Sequence, residues 1–179
     1  MVPGFYAAVQ SLVRRRRVGR PRSDRGREQP VPLGAILRGA MPKDSTTPDL
    51  VELTRRAVEA SNHGEVDSAL AYFAPDAVWS VGPGLEQFEG KAAIRRFWTE
   101  WSSTFDDYSV EMEKALDLGS GVALATFRSR GRPIAGGFDM QEPFTLVVEW
   151  TDGLITRISG YHDPDEARAA AERLAQERG

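Results

Sequence analysis

The chain has 179 residues, 41% of them hydrophobic, so it can bury one sizeable core but has little room for a second domain of ordinary size. It contains no cysteine, which excludes a disulfide framework, a thiolate metal site and a cysteine nucleophile, and which fits a reducing cytoplasm. The short apolar run from Phe5 to Val13 precedes its arginines, the reverse of a secretory signal, and no run approaches the roughly 20 residues that cross a bilayer. We therefore expect a soluble cytoplasmic protein.

Charge divides the chain into two parts. Residues 1–40 hold nine arginines against Asp24 and Glu28, a net charge of +7, whereas residues 41–179 hold 14 Lys and Arg against 24 Asp and Glu, a net charge of −10. An acidic body repels a phosphate backbone, so we expect no nucleic-acid partner and no membrane surface for it.

The N-terminal segment is rich in Arg, Pro and Gly and shows no sustained apolar period. Such a composition predicts a disordered tail over residues 1–45, followed by one folded domain over residues 46–179. The arginines could bind nucleic acid or an anionic membrane, although no aromatic residues are interleaved among them to stack on bases. We favour the alternative that Met41 is the true start and that the upstream stretch is a translated leader.

Helical patterns dominate the first half of the domain. Residues 47–49, Thr-Pro-Asp, predict the N-cap and first turn of a helix that stops at residues 62–64, Asn-His-Gly. A second, short helix is predicted to carry Val66, Ala69, Leu70 and Phe73 and to end near Pro75, and a short strand is predicted over residues 77–81. The third helix has the clearest pattern, since large apolar residues recur at helical spacing over residues 94–105.

From Tyr108 onward the apolar period changes to two, which predicts strands. Further strands are expected at about residues 121–129, 143–150 and 154–161, the last two joined by Asp152-Gly153, a pair suited to a tight hairpin turn. The sheet is therefore mainly antiparallel.

A final helix is predicted through about Arg178. Asp163-Pro164, with Glu166 three residues after the aspartate, is a capping signature for its start. Helices that come before and after a run of mainly antiparallel strands in the sequence indicate an α+β fold.

Several short motifs occur in this order with regular spacing. They are Asn62-His63-Gly64-Glu65, Tyr72-Phe73-Ala74-Pro75-Asp76-Ala77-Val78-Trp79, Gly90 leading into Ala93-Ile94-Arg95-Arg96-Phe97-Trp98, Asp152-Gly153-Leu154-Ile155-Thr156-Arg157 running into Tyr161-His162-Asp163, and Glu166-Ala167. Over about residues 49–174 this series resembles the SnoaL-like, polyketide cyclase-like branch of the NTF2-like (nuclear transport factor 2) superfamily. The resemblance implies a curved sheet wrapped around a long helix, an open-ended cone, and a homodimer formed through the outer sheet face.

The superfamily includes ketosteroid isomerases and epoxide hydrolases, whose catalytic positions can be matched to this chain. The tyrosine donor, the aspartate base and the protonated aspartic acid of the isomerases fall on Ala57, Val81 and Leu146, which are all apolar. One acid of the limonene-type epoxide hydrolases falls on Gly160, and although Arg128 is available as their arginine, no acid lies near it in sequence. Neither known catalytic set is complete.

Three scattered polar residues remain as catalytic candidates. His162 could shuttle protons near neutral pH, Arg128 could clamp an anion or a carbonyl, and Asp139 could act as a base if it is buried. The alternatives are a rim or core histidine, a solvated arginine and a solvated edge carboxylate. His63 and His162 are far apart, and Gly119-Ser120-Gly121 lacks the dinucleotide-binding spacing, so we expect no tightly bound metal and no cofactor.

The apolar residues predict a binding site. Tryptophans and β-branched or aromatic residues fall on elements that face the cone in the resembling fold, although core filling is the alternative for at least half of them. We predict a small-molecule-binding domain with an apolar, aromatic-lined pocket; the alternative is an isomerase, cyclase or hydrolase acting on a polyketide- or terpenoid-like substrate. The predicted pocket residues are Trp79, Val81, Trp98, Trp101, Phe144, Leu146, Val148 and Gly160.

Overall fold

A computed structural model describes residues 49–62, 66–136 and 139–179. The predicted tail, the start at Met41, Thr47 of the first cap, and His63 lie outside these residues. The described elements are α1 (Leu50–Asn62), α2 (Val66–Leu70), β1 (Phe73–Ser80), β2 (Gln87–Glu89), α3 (Lys91–Ser102), β3 (Phe105–Asp117), β4 (Val122–Pro133), β5 (Met140–Thr151), β6 (Leu154–Tyr161) and α4 (Pro164–Arg178).

These strands form one curved, open sheet in the order β2-β1-β6-β5-β4-β3. The pairs are antiparallel except β1–β6, which is parallel. The α+β fold with a mainly antiparallel sheet is therefore confirmed. Helices α1 and α3 cover one face, which we call the inner face, and α4 packs on part of the opposite, outer face.

Both long terminal helices begin at an aspartate cap. Asp49 accepts hydrogen bonds on Oδ1 from the backbone N–H groups of Val51 (3.0 Å) and Glu52 (3.2 Å), so it occupies the N-cap of α1 and not the first turn where it was predicted. Asp163 caps α4 in the same way, with N···O distances of 2.8 and 3.3 Å. The capping signature predicted for α4 is confirmed.

Two element boundaries were predicted wrongly, at Phe73 and Phe105. Phe73 opens β1 and does not end α2, because it pairs with Ile155 of the parallel neighbour β6. The ladder is irregular between Phe73 and Val78, and this accommodates Pro75, which has no N–H to donate. In the same way Phe105 opens β3, whereas α3 ends at Ser102.

The strands predicted in the second half are present, and β4 and β5 extend a few residues beyond the predicted bounds. Asp152 (φ 51°) and Gly153 (φ 76°) both adopt the left-handed conformation that a tight hairpin between β5 and β6 requires. The short strand β2 was missed, since three residues show no measurable period. None of the helices within the described ranges is both long and apolar enough to cross a membrane.

Two clusters of buried side chains stabilise the fold. The larger lies on the inner face, between the sheet and helices α1 and α3. The smaller lies on the outer face, where Ala167 and Ala171 of α4 pack on Val122, Leu124 and Val147. Alanines let the helix approach the strands closely, so α4 covers this part of the outer face.

Candidate functional site

A cavity of about 70 Å³ lies within the inner-face cluster, between α1, α3 and the sheet. Among the described residues, its lining is mostly aromatic and aliphatic, includes three residues with a hydroxyl group, and contains no charged side chain. The lining residues are Thr54, Ala57, Val58, Ser61, Phe73, Trp79, Phe97, Trp98, Trp101, Tyr108, Val110, Phe127, Phe144, Leu146, Val148, Ile155 and Ile158.

Six of the eight residues predicted for the pocket line this cavity, namely Trp79, Trp98, Trp101, Phe144, Leu146 and Val148. Val81 does not, because β1 ends at Ser80 and the chain bends away, with the Ser80 hydroxyl donating to the carbonyl of Gly82 at 3.0 Å. Gly160 is buried and pairs with Leu146, but it has no side chain to reach the cavity.

The three catalytic candidates lie apart from one another and outside this lining. Arg128 points away from the inner face, since its neighbour Phe127 lines the cavity, and its Nε donates to Glu113 at 2.6 Å. Asp139 is exposed and lies 3.5 Å from the Nε of Arg132. His162 is exposed at the start of the turn into α4. The structure therefore brings no two of the three candidates together.

Part of the lining was missed by the sequence reasoning. Helix α1 contributes Thr54, Ala57, Val58 and Ser61, which follow one another at helical spacing. That spacing could have identified them, but two of the four side chains carry hydroxyl groups and break the apolar pattern. The sequence predicted correctly that Tyr108 lies on a strand, but not that it lines the cavity.

Aromatic contacts hold one wall of the cavity. The Trp79 ring stacks on Phe73, with centroids 6.2 Å apart and planes 8° apart, and meets Phe97 at 5.9 Å. Trp98 packs edge-on against Trp79 at 5.3 Å and is half-buried, whereas Trp101 is only 2% exposed. Such pairs fix ring orientation and contribute about 0.5–1.5 kcal/mol each beyond their buried area.

A second cavity, of about 110 Å³, lies next to the first. We call the first the inner cavity and the second the outer cavity. Both are lined by Ser61, Trp98 and Tyr108, and the outer cavity is also lined by Asn62 and Ser102. The two spaces thus share a boundary, and Trp98, which is half-buried, has the largest side chain on it.

Tyr108 carries a perturbed titratable group. The residue is half-buried by exposed area, yet enough protein surrounds the phenol that burial raises the pKa of Tyr108 to about 12, a shift that the nearby Trp101 indole partly offsets. Since the phenolate is the disfavoured form, the phenol remains protonated at neutral pH. Tyr108 is therefore a hydrogen-bond donor and not a base under these conditions.

This shift predicts a stability loss at high pH. The pKa in the folded protein exceeds the unfolded value of about 10, so the contribution of Tyr108 is complete below about pH 10 and is lost as the pH rises through about 12. In an ultraviolet titration of the phenolate we expect Tyr108→Phe to remove the step near pH 12. A variant that instead loses a step near pH 10 would contradict the burial of this phenol.

Among residues 49–62, 66–136 and 139–179, no group of three or more His, Asp or Glu side chains is arranged to hold a metal ion.

Comparisons with known proteins place this geometry in a family. The SnoaL-like domain family matches residues 54–158, and a search of curated sequences found no match. An NTF2-like protein of unknown function from Burkholderia pseudomallei is 16% identical, with 68% of this chain and 95% of that chain covered and a TM-score of 0.56.

Two further solved structures contain small molecules. TerC co-crystallised with polyporic acid is 15% identical, with 69% and 97% of the two chains covered and a TM-score of 0.55. RV0760c from Mycobacterium tuberculosis, in complex with estradiol-17β-hemisuccinate, is 17% identical, with 64% and 94% covered and a TM-score of 0.55. At these identities the likeness concerns the fold, whereas the family match spans more than half of the chain. The chain therefore belongs to the SnoaL-like domain family and shares the fold of the NTF2-like protein from Burkholderia pseudomallei.

Proposed function

We propose that this domain binds a hydrophobic small molecule in the cavity between α1, α3 and the inner sheet face. One observation carries the proposal: three of the chain's four tryptophans line a cavity in which none of the described lining residues is charged. Small-molecule sites are usually apolar and aromatic, with a few polar groups that orient the ligand. The small molecules bound to TerC and RV0760c support the same use of the fold.

The volume of the cavity constrains how binding occurs. About 70 Å³ holds a small ring at most, whereas sites for drug-sized molecules measure roughly 300–1,000 Å³. A ligand of steroid or terpenoid size therefore needs more room than either cavity offers, and a rotation of Trp98 would both join the two cavities and add the space that its ring occupies. Trp98 and Trp79 are both half-buried, whereas Trp101 is buried, but of the three only Trp98 lines both cavities, which supports its role as the movable side chain.

The alternative is an isomerase, cyclase or hydrolase that acts on a polyketide- or terpenoid-like substrate. Such an enzyme would use His162, Arg128 or Asp139, none of which lines the cavity. The isomerase positions Ala57 and Leu146 do line it but carry no proton donor or acceptor on their side chains. The arrangement therefore favours binding over turnover.

A homodimer formed through the outer sheet face stays a prediction. Helix α4 covers part of that face, and the part formed by β3 and β4 carries the cross-strand ion pairs Arg128–Glu113 and Arg130–Glu111. Within the described part of the chain, the exposed large hydrophobic residue is Ile134. A dimer at this face would therefore be mainly polar.

Ligand titration tests the proposed function. Hydrophobic lactones, steroids and terpenoids are added while tryptophan emission and the melting temperature are recorded; a binder should change the emission and raise the melting temperature by mass action. Trp98→Ala should weaken binding of a single-ring lactone about tenfold or more, because it removes a flat contact surface and opens the inner cavity to the outer one. A steroid, which needs the space that the Trp98 ring occupies, should not lose affinity in this variant.

His162→Ala is the matched control, since His162 lies outside the cavity lining and its replacement should leave affinity unchanged. A panel in which every compound leaves both emission and melting temperature untouched would count against the proposed function. Turnover of a panel compound that His162→Ala abolishes would favour the enzyme.

A further inference from the structure

The two hydroxyl groups of α1 that line the cavity already donate hydrogen bonds to backbone carbonyl oxygens of the same helix. Thr54 donates to the carbonyl oxygen of Leu50 at 2.7 Å, and Ser61 donates to that of Val58 at 2.7 Å. A hydroxyl group has one proton to donate. Neither residue therefore offers a donor to a ligand without giving up a bond within its own helix.

Polar groups around the outer cavity are also engaged with the backbone. The Asn62 amide donates to the carbonyl of Val110 at 2.6 Å and accepts from its N–H at 2.8 Å, which ties the end of α1 to β3. Ser102 donates to the carbonyl of Thr99 at 3.3 Å, within its own helix. The Asn62 amide keeps a second N–H, but Asn62 lines the outer cavity and not the inner one.

Tyr108 differs from these residues. Its ring meets the Trp101 ring edge-on, with centroids 6.1 Å apart, and the indole N–H of Trp101 can only donate, so Trp101 does not take up the phenolic proton. That proton therefore remains for a ligand. Tyr108 lines both cavities, so a ligand that passes from the outer space to the inner one comes into contact with this residue.

We infer that Tyr108 is a specificity-determining residue that donates a hydrogen bond to a carbonyl oxygen of a neutral, largely apolar ligand. This inference rests on the proposed function and adds the class of ligand. A carbonyl group only accepts hydrogen bonds, so one donor is enough to satisfy it inside an apolar space. A carboxylate or an ammonium ion would lie among lining residues that carry no opposite charge, at a high desolvation cost.

Two probes of nearly the same shape test this directly. Acetophenone carries a carbonyl oxygen where α-methylstyrene carries a methylene group, so the pair differs mainly in the hydrogen-bond acceptor. Dissociation constants are measured by calorimetry for wild type and for Tyr108→Phe. We expect the substitution to weaken acetophenone binding about tenfold and to leave α-methylstyrene binding unchanged or slightly tighter.

Tyr161→Phe is the matched control, because Tyr161 packs with the outer-face cluster and its hydroxyl group does not line the cavity. It should change neither dissociation constant, and circular dichroism checks that both variants fold. Equal effects of Tyr108→Phe on the two probes would overturn the inference and leave the proposed function standing, as would a wild type that binds only α-methylstyrene. A wild type that binds neither probe nor any compound of the larger panel would overturn both.

Discussion

Gly160→Asp is expected to lower the free energy of unfolding by about 3 kcal/mol or more at neutral pH, through burial of an unpaired charge. Gly160 is buried and lies opposite Leu146, two residues beyond Ile158 on the same strand, and both of those side chains line the cavity. A side chain at position 160 would therefore point to the inner face. Arg128 cannot neutralise it, because that guanidinium lies on the outer face with Glu113.

The pH dependence separates the charge from the bulk of the new side chain. Desolvation raises the pKa of a buried carboxyl group above its usual value of about 4, so the penalty is absent below about pH 4 and grows as the pH rises through the raised pKa. Gly160→Asn has nearly the same shape without the charge and should show no such trend. Urea unfolding of both variants between acid and neutral pH gives the comparison; parallel curves would mean that position 160 faces solvent.

Gly121→Ala is expected to lower the free energy of unfolding by about 2–4 kcal/mol. Gly121 has φ +76°, and an added Cβ would lie 2.4 Å from the carbonyl oxygen of Trp150, which is far inside van der Waals contact. The backbone cannot yield easily, since the Gly121 carbonyl accepts from the Trp150 N–H at 2.7 Å and Arg178 holds the Trp150 carbonyl at 3.2 Å. The substitution therefore combines left-handed strain with a backbone clash.

Gly119→Ala is the control within the same turn. Gly119 has φ +83° but no atom within 4 Å of the added Cβ, so this variant should show only the left-handed strain, about 1 kcal/mol. Urea unfolding of the two variants measures the difference. Equal losses would contradict the close approach of the β3–β4 turn to β5.

Local patterns in the sequence were enough to predict elements whose geometry depends on neighbours in the chain. Asp163 caps α4 because its carboxylate reaches N–H groups two and three residues ahead, and Asp152-Gly153 turns tightly because both residues tolerate positive φ. The apolar period of α3 likewise placed Trp98 and Trp101 on its inner side. These interactions span a few residues, so the sequence alone determines them.

The boundaries at Phe73 and Phe105 depended on tertiary structure. Phe105 continues the helical spacing of α3, and its ring does pack on Trp101 with centroids 5.1 Å apart, but the backbone there pairs with Pro133 of β4. Phe73 likewise lies in the register of Ile155, a residue far along the chain. Hydrogen bonds between distant strands outweigh the local helical pattern, and spacing within one segment cannot reveal them.

The site shows the same division between sequence and tertiary structure. The sequence by itself determined an apolar, tryptophan-rich inner face, because strand and helix periods assign side chains to faces. Only the tertiary structure decided that the chain bends away at Val81, that the cavity is about 70 Å³, and that the Tyr108 ring meets the Trp101 ring edge-on. Cavity volume and a buried phenol depend on the close packing of side chains from five or more separate elements, and no pattern along a single segment carries that information.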